Sequence, residues 1–182
     1  ISIGGEMISR EDFLDAYRDV IPFVEAVDAR SLDEGGPRMT YFEVVVAVAY
    51  AAFAAAPVDV AIVEVGMGGA WDATNVIDAP VAVITPIDLD HQHFLGDSVL
   101  DIAHEKSGII KPDAIAVSAE QDPEVAEILR ARAEEVGARL AVEGEHLAVT
   151  ARDVAVGGQQ ISMRSLAGDH DHLLLALHGE HQ

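Results

Sequence analysis

Residues 60–111 read VAIVEVGMGGAWDATNVIDAPVAVITPIDLDHQHFLGDSVLDIAHEKSGIIK, and this stretch decides the fold. It continues an apolar, β-branched run over 58–65 that places a carboxylate, Glu64, near its end and then breaks into the glycine-rich GMGG of 66–69. Near-continuous apolar runs of this length are the pattern of a buried parallel strand, and a glycine cluster marks where such a strand ends. A second apolar run, 81–85, stops at Pro86 and leads to Asp88, Asp90, His91 and His93, after which a helical segment carries Glu105 and Lys106. The pattern predicts two strand ends and one helix converging on a polar site. Ligands of open parallel sheets bind outside the carboxyl ends of the strands, which is where Glu64 and His91 would lie.

Working outward, residues 1–8 (ISIGGEMI) predict two short strands around a Gly4-Gly5 turn. Ser9 with Asp12 three residues on has the spacing of a capping box, ahead of a helix over 10–27 with Pro22 as a kink or break and a loop over 31–37. Thr40 is placed to cap a second helix over 41–55, so apolar around its circumference that it should pack inside the domain until Pro57 ends it. Downstream, a strand over 114–118, a helix over 123–136 with Pro123 in its first turn, and a strand over 139–142 keep a regular alternation. The tail then changes to three strand-like runs, 147–155, 159–166 and 172–177, around Gly157-Gly158 and Gly168-Asp169. The expected class is α/β: a mostly parallel sheet flanked by helices, with a short antiparallel subsheet towards the C-terminus. One partial domain is expected, with a hairpin and helices over 1–57, a parallel core over 58–143 and antiparallel strands over 144–182.

Composition bounds the function. A chain of 182 residues, 50% hydrophobic, suffices for one domain with a sizeable core. No apolar run approaches the roughly 20 residues that span a bilayer. The start at Ile1 lacks the basic region of a signal peptide and falls in register with a strand, as expected of a piece of something longer. Zero cysteines exclude disulfides and thiolate metal sites and fit a reducing, cytoplasmic setting. With 11 basic against 32 acidic residues and a net charge of -21, nucleic acid is a poor partner, because phosphate backbones are held by Lys and Arg. An anionic substrate would need a helix N-terminus, a divalent cation or basic groups from another segment.

Each candidate residue has a plain alternative. Glu64 is either an edge charge paired with an arginine or a hard-cation ligand beside glycines that let a ligand approach the backbone. His91, with His93 two residues on, is either solvated or a metal ligand, and spacing alone does not choose. Lys106, in HEKSG near a helix end, has complementing the helix dipole as its default role. Asp72, Thr74 and Asn75 in WDATN form a turn pattern. Trp71, the only tryptophan, could stack on a flat ligand or cover the core. No GxxxxGK[ST] phosphate loop, G-x-S-x-G elbow or cysteine nucleophile occurs.

Three motifs in order, EVGMGGAWDATN at 64–75, ITPIDLDHQHFLGDS at 84–98 and IAHEKSGIIKP at 102–112, resemble the central domain of folylpolyglutamate synthase, which is often also a dihydrofolate synthase in bacteria, of the Mur ligase superfamily. ISIGGEMIS at 1–9, MTYFEV at 39–44 and LHGEHQ at 177–182 extend the resemblance over essentially the whole chain. The resemblance implies a central ATPase-type domain in an enzyme that joins glutamate to a pteroate or folate carboxylate. ATP is the co-substrate, and an acyl-phosphate forms before the glutamate amine attacks. It further implies Mg²⁺ held by Glu64 and His91, and Lys106 carbamylated, which would turn a cation into an anion able to sit beside the metal. By the same resemblance, Thr40, Tyr41, Phe42 and Glu43, together with Trp71, Asp72 and Ala73, contact the pterin-bearing substrate, with Asn75 in the loop beside it. Small-molecule substrates are the expected partners, with no nucleic acid and no membrane.

The family usually has Arg where this chain has Ala70, and Gly or another small residue where Asp88 stands. His93 stands at a position that is often acidic or variable in the family and is not assigned to metal. The family's phosphate loop is expected before Ile1 and its smaller C-terminal domain after Gln182, so the isolated chain is expected not to turn over. Two other classes compete. One is a noncatalytic pterin-binding or interaction domain derived from the ligase, favoured by Ala70 and Asp88. The other is a metal-dependent hydrolase using Glu64, His91 and His93, which rests on residue types alone.

Overall fold

Two consecutive glycines set the first turn. Strands β1 (Ser2–Ile3) and β2 (Glu6–Met7) pair antiparallel across Gly4 (φ 64°) and Gly5 (φ 85°), and two central residues with positive φ make the turn whose twist suits a hairpin. The computed structural model describes residues 1–90 and 95–177. They divide into two units, Ile1–Gly66 with Asp72–Val76, and Met67–Trp71 with Ile77–Gln182.

In the first unit, helix α1 (Arg10–Asp33) starts where Ser9 accepts the Asp12 amide at 3.0 Å. The Asp12 carboxylate takes the Ser9 hydroxyl at 2.6 Å, so this cap differs from a full box. The helix runs through Pro22 and six residues beyond the predicted end at 27, into the predicted loop. An interior proline costs a helix about 3 kcal/mol or more, and tertiary packing offsets it: Ala16 and Val24 are buried, and Phe13 and Val20 pack on Val48 and Ala52. Those two residues belong to α2 (Tyr41–Ala55), whose bounds are as predicted, with a complete Thr40–Glu43 capping box. The expectation that α2 is packed all round is corrected: Val46, Val48 and Ala52 are buried, whereas Tyr41 and Phe42 are exposed.

The strand expected over 58–65 is not formed. None of these residues joins a ladder, and Val60 (78%) and Ile62 (92%) are exposed. A strand exists only by pairing, and no described strand lies alongside this run.

The second unit has the expected alternation. β3 (Val81–Ile84), β4 (Ile115–Ser118) and β5 (Arg139–Val142) form a parallel sheet in that order, with Val81 beside Ile115 and Ile115 beside Arg139. Parallel neighbours require crossovers, supplied by α3 (Val99–Ser107) and α4 (Pro123–Val136), which pack on one another. Asp122 caps α4 ahead of Pro123, and Gly137 ends it in the left-handed conformation (φ 70°). Ile84, Ile110, Ala116 and Leu129 form the core between sheet and helices, with Leu140 and Val136 at its edge.

The tail forms a separate antiparallel sheet of β6 (Ala148–Ala155), β7 (Gly158–Ser165) and β8 (Gly168–Leu175). β8 begins at Gly168, four residues before the predicted start. Its polar opening pairs across the sheet, Asp169 opposite Arg164, and the Ser165 hydroxyl meets His170 Nε2 at 2.8 Å. Among the described residues no helix is long and apolar enough to cross a membrane.

Candidate functional site

The first unit carries Thr40–Glu43, Glu64 and Asp72–Asn75. Asp28, on α1, accepts the Met39 amide at 2.8 Å and an Arg38 guanidinium nitrogen at 3.1 Å, which fixes the chain as it enters α2. Thr40 and Glu43 then bond reciprocally: the Glu43 carboxylate accepts the Thr40 amide at 2.6 Å and hydroxyl at 2.7 Å. In this predicted substrate segment Tyr41 is 86% exposed, while the Phe42 ring lies against Gly66, where any Cβ would strike its tip.

The WDATN turn is as the residue types predict. Asp72, 5% exposed, accepts the Thr74 amide at 2.9 Å, and its carbonyl accepts the Asn75 amide at 2.9 Å. The Tyr50 hydroxyl of α2 donates to the Thr74 carbonyl at 2.6 Å. Burial, with the Asp72 charge as the lesser cause, raises the Tyr50 pKa above 10.0, so the donor proton is held tightly. Ala73 opens the short 3₁₀ turn Ala73–Val76 that follows.

The second unit carries Trp71 and Lys106. The glycines of GMGG read in the sequence as room for a ligand; the structure places the C-terminal turn of α3 against two of them. A Cβ on Gly69 would lie 2.5 Å from the Glu105 carbonyl oxygen and 2.8 Å from Lys106 Cα, and one on Gly68 would lie 3.1 Å from Glu105 Cγ. Gly108, just beyond the helix, abuts Ala70 in the same way. The Ala70 amide donates to the Glu105 carbonyl at 2.9 Å, and the Trp71 amide to Glu105 Oε1 at 3.1 Å. Half of Trp71 remains exposed, and Lys106 is partly buried.

Beyond β3, Gln121 holds the chain that leads towards His91. Its Nε2 donates to the Thr85 carbonyl at 3.0 Å and its Oε1 accepts the Ile87 amide at 2.9 Å. Asp88 is exposed and accepts the Leu89 amide. His91 and His93 lie outside the described residues.

For a hard divalent cation, the donor chemistry is mixed. Glu64 is exposed and its carboxylate has no hydrogen-bond partner among the described residues, so it fits such an ion. Lys106 as an ammonium does not fit; as a carbamate it would. Among the described residues no cluster of three or more His, Cys, Asp or Glu is placed to hold a metal.

No protein-family profile matches the chain. It is 50% identical, over its full length, to the dihydrofolate synthase/folylpolyglutamate synthase of Mycobacterium tuberculosis, and 34% identical to that of Bacillus subtilis. Its fold matches the M. tuberculosis folylpolyglutamate synthase solved with ADP and AMPPCP, at a TM-score of 0.91 and 49% identity over 99% of the chain. The chain belongs to the folylpolyglutamate synthase family. It spans 39% of the M. tuberculosis relative and 42% of the B. subtilis one. A second solved structure, an FPGS complex with AMPPCP and folate, matches 90% of the chain and 40% of that protein at a TM-score of 0.79 and 32% identity.

In this folylpolyglutamate synthase family chain, sequence reasoning missed Glu105, Gln121, Tyr50 and Asp28 as residues that position the candidate site. Three of them act on backbone groups far along the chain, which no local pattern announces. Glu105 left one trace: a carboxylate in the last turn of α3 opposes the helix dipole, so its retention there calls for another partner.

Proposed function

We propose that this chain is part of an ATP-dependent ligase that joins L-glutamate to dihydropteroate, to (poly)glutamylated tetrahydrofolate, or to both. The chain-long likeness to the M. tuberculosis synthase carries the reading. In it, a substrate carboxylate oxygen attacks the γ-phosphorus of ATP and ADP leaves. The glutamate amine then attacks the acyl carbon, losing a proton as inorganic phosphate departs. Two anions must approach in the first step, so catalysis consists mainly of positioning and charge neutralisation.

Glu64 and His91 would hold Mg²⁺, with carbamylated Lys106 beside them; the ion, when bound, neutralises the phosphate charge. The chain's own side chains bind and orient. Tyr41, Phe42 and Trp71 offer aromatic surface to the flat pterin, and Thr40, Glu43, Asp72 and Ala73 shape the backbone around it, with Asn75 alongside. Residues 1–182 are then one central domain of a longer cytoplasmic enzyme and do not turn over alone. The segments that cradle the nucleotide phosphates lie elsewhere in that enzyme.

ADP release with Mg²⁺, ATP, glutamate and dihydropteroate or tetrahydrofolate tests this, comparing the 182-residue chain with the longer protein. Activity of the longer form alone is expected. Activity of the short form removes the claim that the phosphates are held elsewhere. If neither releases ADP and the pterin still binds, the chain is a noncatalytic binding domain. Labelled bicarbonate followed by carbon NMR reports the Lys106 carbamate, and a Lys106→Met variant should abolish both the signal and ligation.

A further inference from the structure

Glu105 meets the glycine-rich loop twice, through its carbonyl to the Ala70 amide at 2.9 Å and through Oε1 to the Trp71 amide at 3.1 Å. Around those bonds the loop and helix approach so closely that Gly69 has no room for a methyl group and Gly68 has little. A neutral side chain or a cation would suit the last turn of α3 better, as His104 and Lys106 on either side illustrate. The carboxylate is retained at an unfavourable helix position where it can reach a backbone donor of another segment.

We propose that Glu105 is a positioning residue: its side chain anchors Trp71, through the backbone, to the helix turn that carries Lys106, so that the indole presents one face to the flat substrate. The substrate's identity rests on the ligase reading; the anchor does not. Gln at this position keeps an acceptor oxygen at the same reach, and Ala removes it.

Trp71 is the only tryptophan, so its emission in the 182-residue chain reports the anchor directly. Glu105→Ala should lower Trp71 anisotropy and shift its emission to the red, and Glu105→Gln should restore both. Unchanged anisotropy in Glu105→Ala, or equal loss in Glu105→Gln, overturns the proposal. The unaltered chain provides a check that needs no variant to fold: the Trp71 amide should exchange slowly with solvent, and exchange at the rate of a free peptide also overturns it. In the longer enzyme, loss of one such bond should raise KM for the folate substrate about three- to tenfold with KM for ATP unchanged. An unchanged folate KM counts against the role. If no form ligates glutamate, the ligase reading falls while anisotropy and exchange still decide the anchor.

Discussion

The Tyr50 hydroxyl donates to the Thr74 carbonyl at 2.6 Å, tying the middle of α2 to the turn that begins at Asp72. A helix side chain thereby fixes the backbone of a loop proposed to contact substrate. Burial first, and the nearby Asp72 carboxylate second, explain why the phenol keeps its proton and so remains a donor: ionisation would place a charge in a half-buried position beside another negative charge.

Tyr50→Phe should destabilise the chain by about 0.5–1.5 kcal/mol, the net worth of one such bond, seen as a lower denaturant midpoint with unchanged slope. The pH profile carries a second signature. With the folded-state pKa raised above 10.0, the folded chain binds the proton more tightly than the unfolded one. This contribution is whole below pH 10.0 and is lost as pH climbs through the folded value. Tyr50→Phe should lack that alkaline step; an identical profile in both proteins would show that Tyr50 does not set it.

Gly69→Ala should cost about 1–3 kcal/mol, because its methyl would meet the Glu105 carbonyl oxygen and Lys106 Cα, backbone atoms that yield only if the helix moves. Gly108→Ala strikes Ala70 from the other side of the same contact. The two costs should therefore combine non-additively in the double variant, with a coupling of about 0.5 kcal/mol or more. Simple additivity in urea denaturation would mean that the two glycines do not share one interface.

Local chemistry explains which elements could be read in advance. α2 and α4 have the bounds expected because a capping residue and a proline mark each. The first hairpin follows from Gly4 and Gly5, and the WDATN turn from Asp72. Errors arose where the deciding atom lies far along the chain. The run 58–65 has strand composition without a described partner, and α1 survives Pro22 because Phe13, Ala16 and Val20 of the same helix share a core cluster with Val48 and Ala52 of α2. For the site, residue types marked Glu64, Trp71 and Lys106, and local hydrogen-bonding preference marked Asp72. Side chains that bond distant backbone, such as Gln121 and Glu105, left little or nothing to read. The GMGG glycines were recognisable as close-approach positions, but not that Glu105 and Lys106 fill the space.

Gln121 serves as donor to Thr85 and acceptor from Ile87, so single changes separate the two halves. Gln121→Glu keeps the acceptor and sets a carboxylate against the Thr85 carbonyl, whereas Gln121→Ala removes both bonds and the longer one that Nε2 donates to Ser118 Oγ at 3.3 Å. The Ala variant should lose about 1–3 kcal/mol, and the Glu variant should lose its stability mainly above the carboxylate pKa. Thermal unfolding at about pH 4 and about pH 7, on either side of most of that titration, tests this. At the lower pH the introduced carboxyl is protonated and can donate to the Thr85 carbonyl as the amide did. Gln121→Glu should then lie closer to the parent chain than at neutral pH, and an equal deficit at both would show that the donor half of Gln121 contributes nothing.

Asp28 offers a comparable separation on the first unit. Its Oδ1 accepts the Met39 amide at 2.8 Å and its Oδ2 an Arg38 nitrogen at 3.1 Å, with the Asp28 side chain 13% exposed and that of Arg38 68%. The arginine can turn to water, so its ion pair should be worth about 1 kcal/mol or less. The Met39 amide is held beside the entry to α2, and losing its acceptor should cost more, about 1–3 kcal/mol if it is left unsatisfied. Asp28→Asn, which retains an acceptor oxygen for that amide, should therefore stay near the parent in denaturant midpoint, and Asp28→Ala should fall well below it. Added salt should narrow the gap between parent and Asn but leave the Ala deficit, because screening acts on the exposed pair. Equal loss in both variants would assign the stabilisation to the charge on Asp28 and would remove it as the residue that delivers Thr40 to its cap.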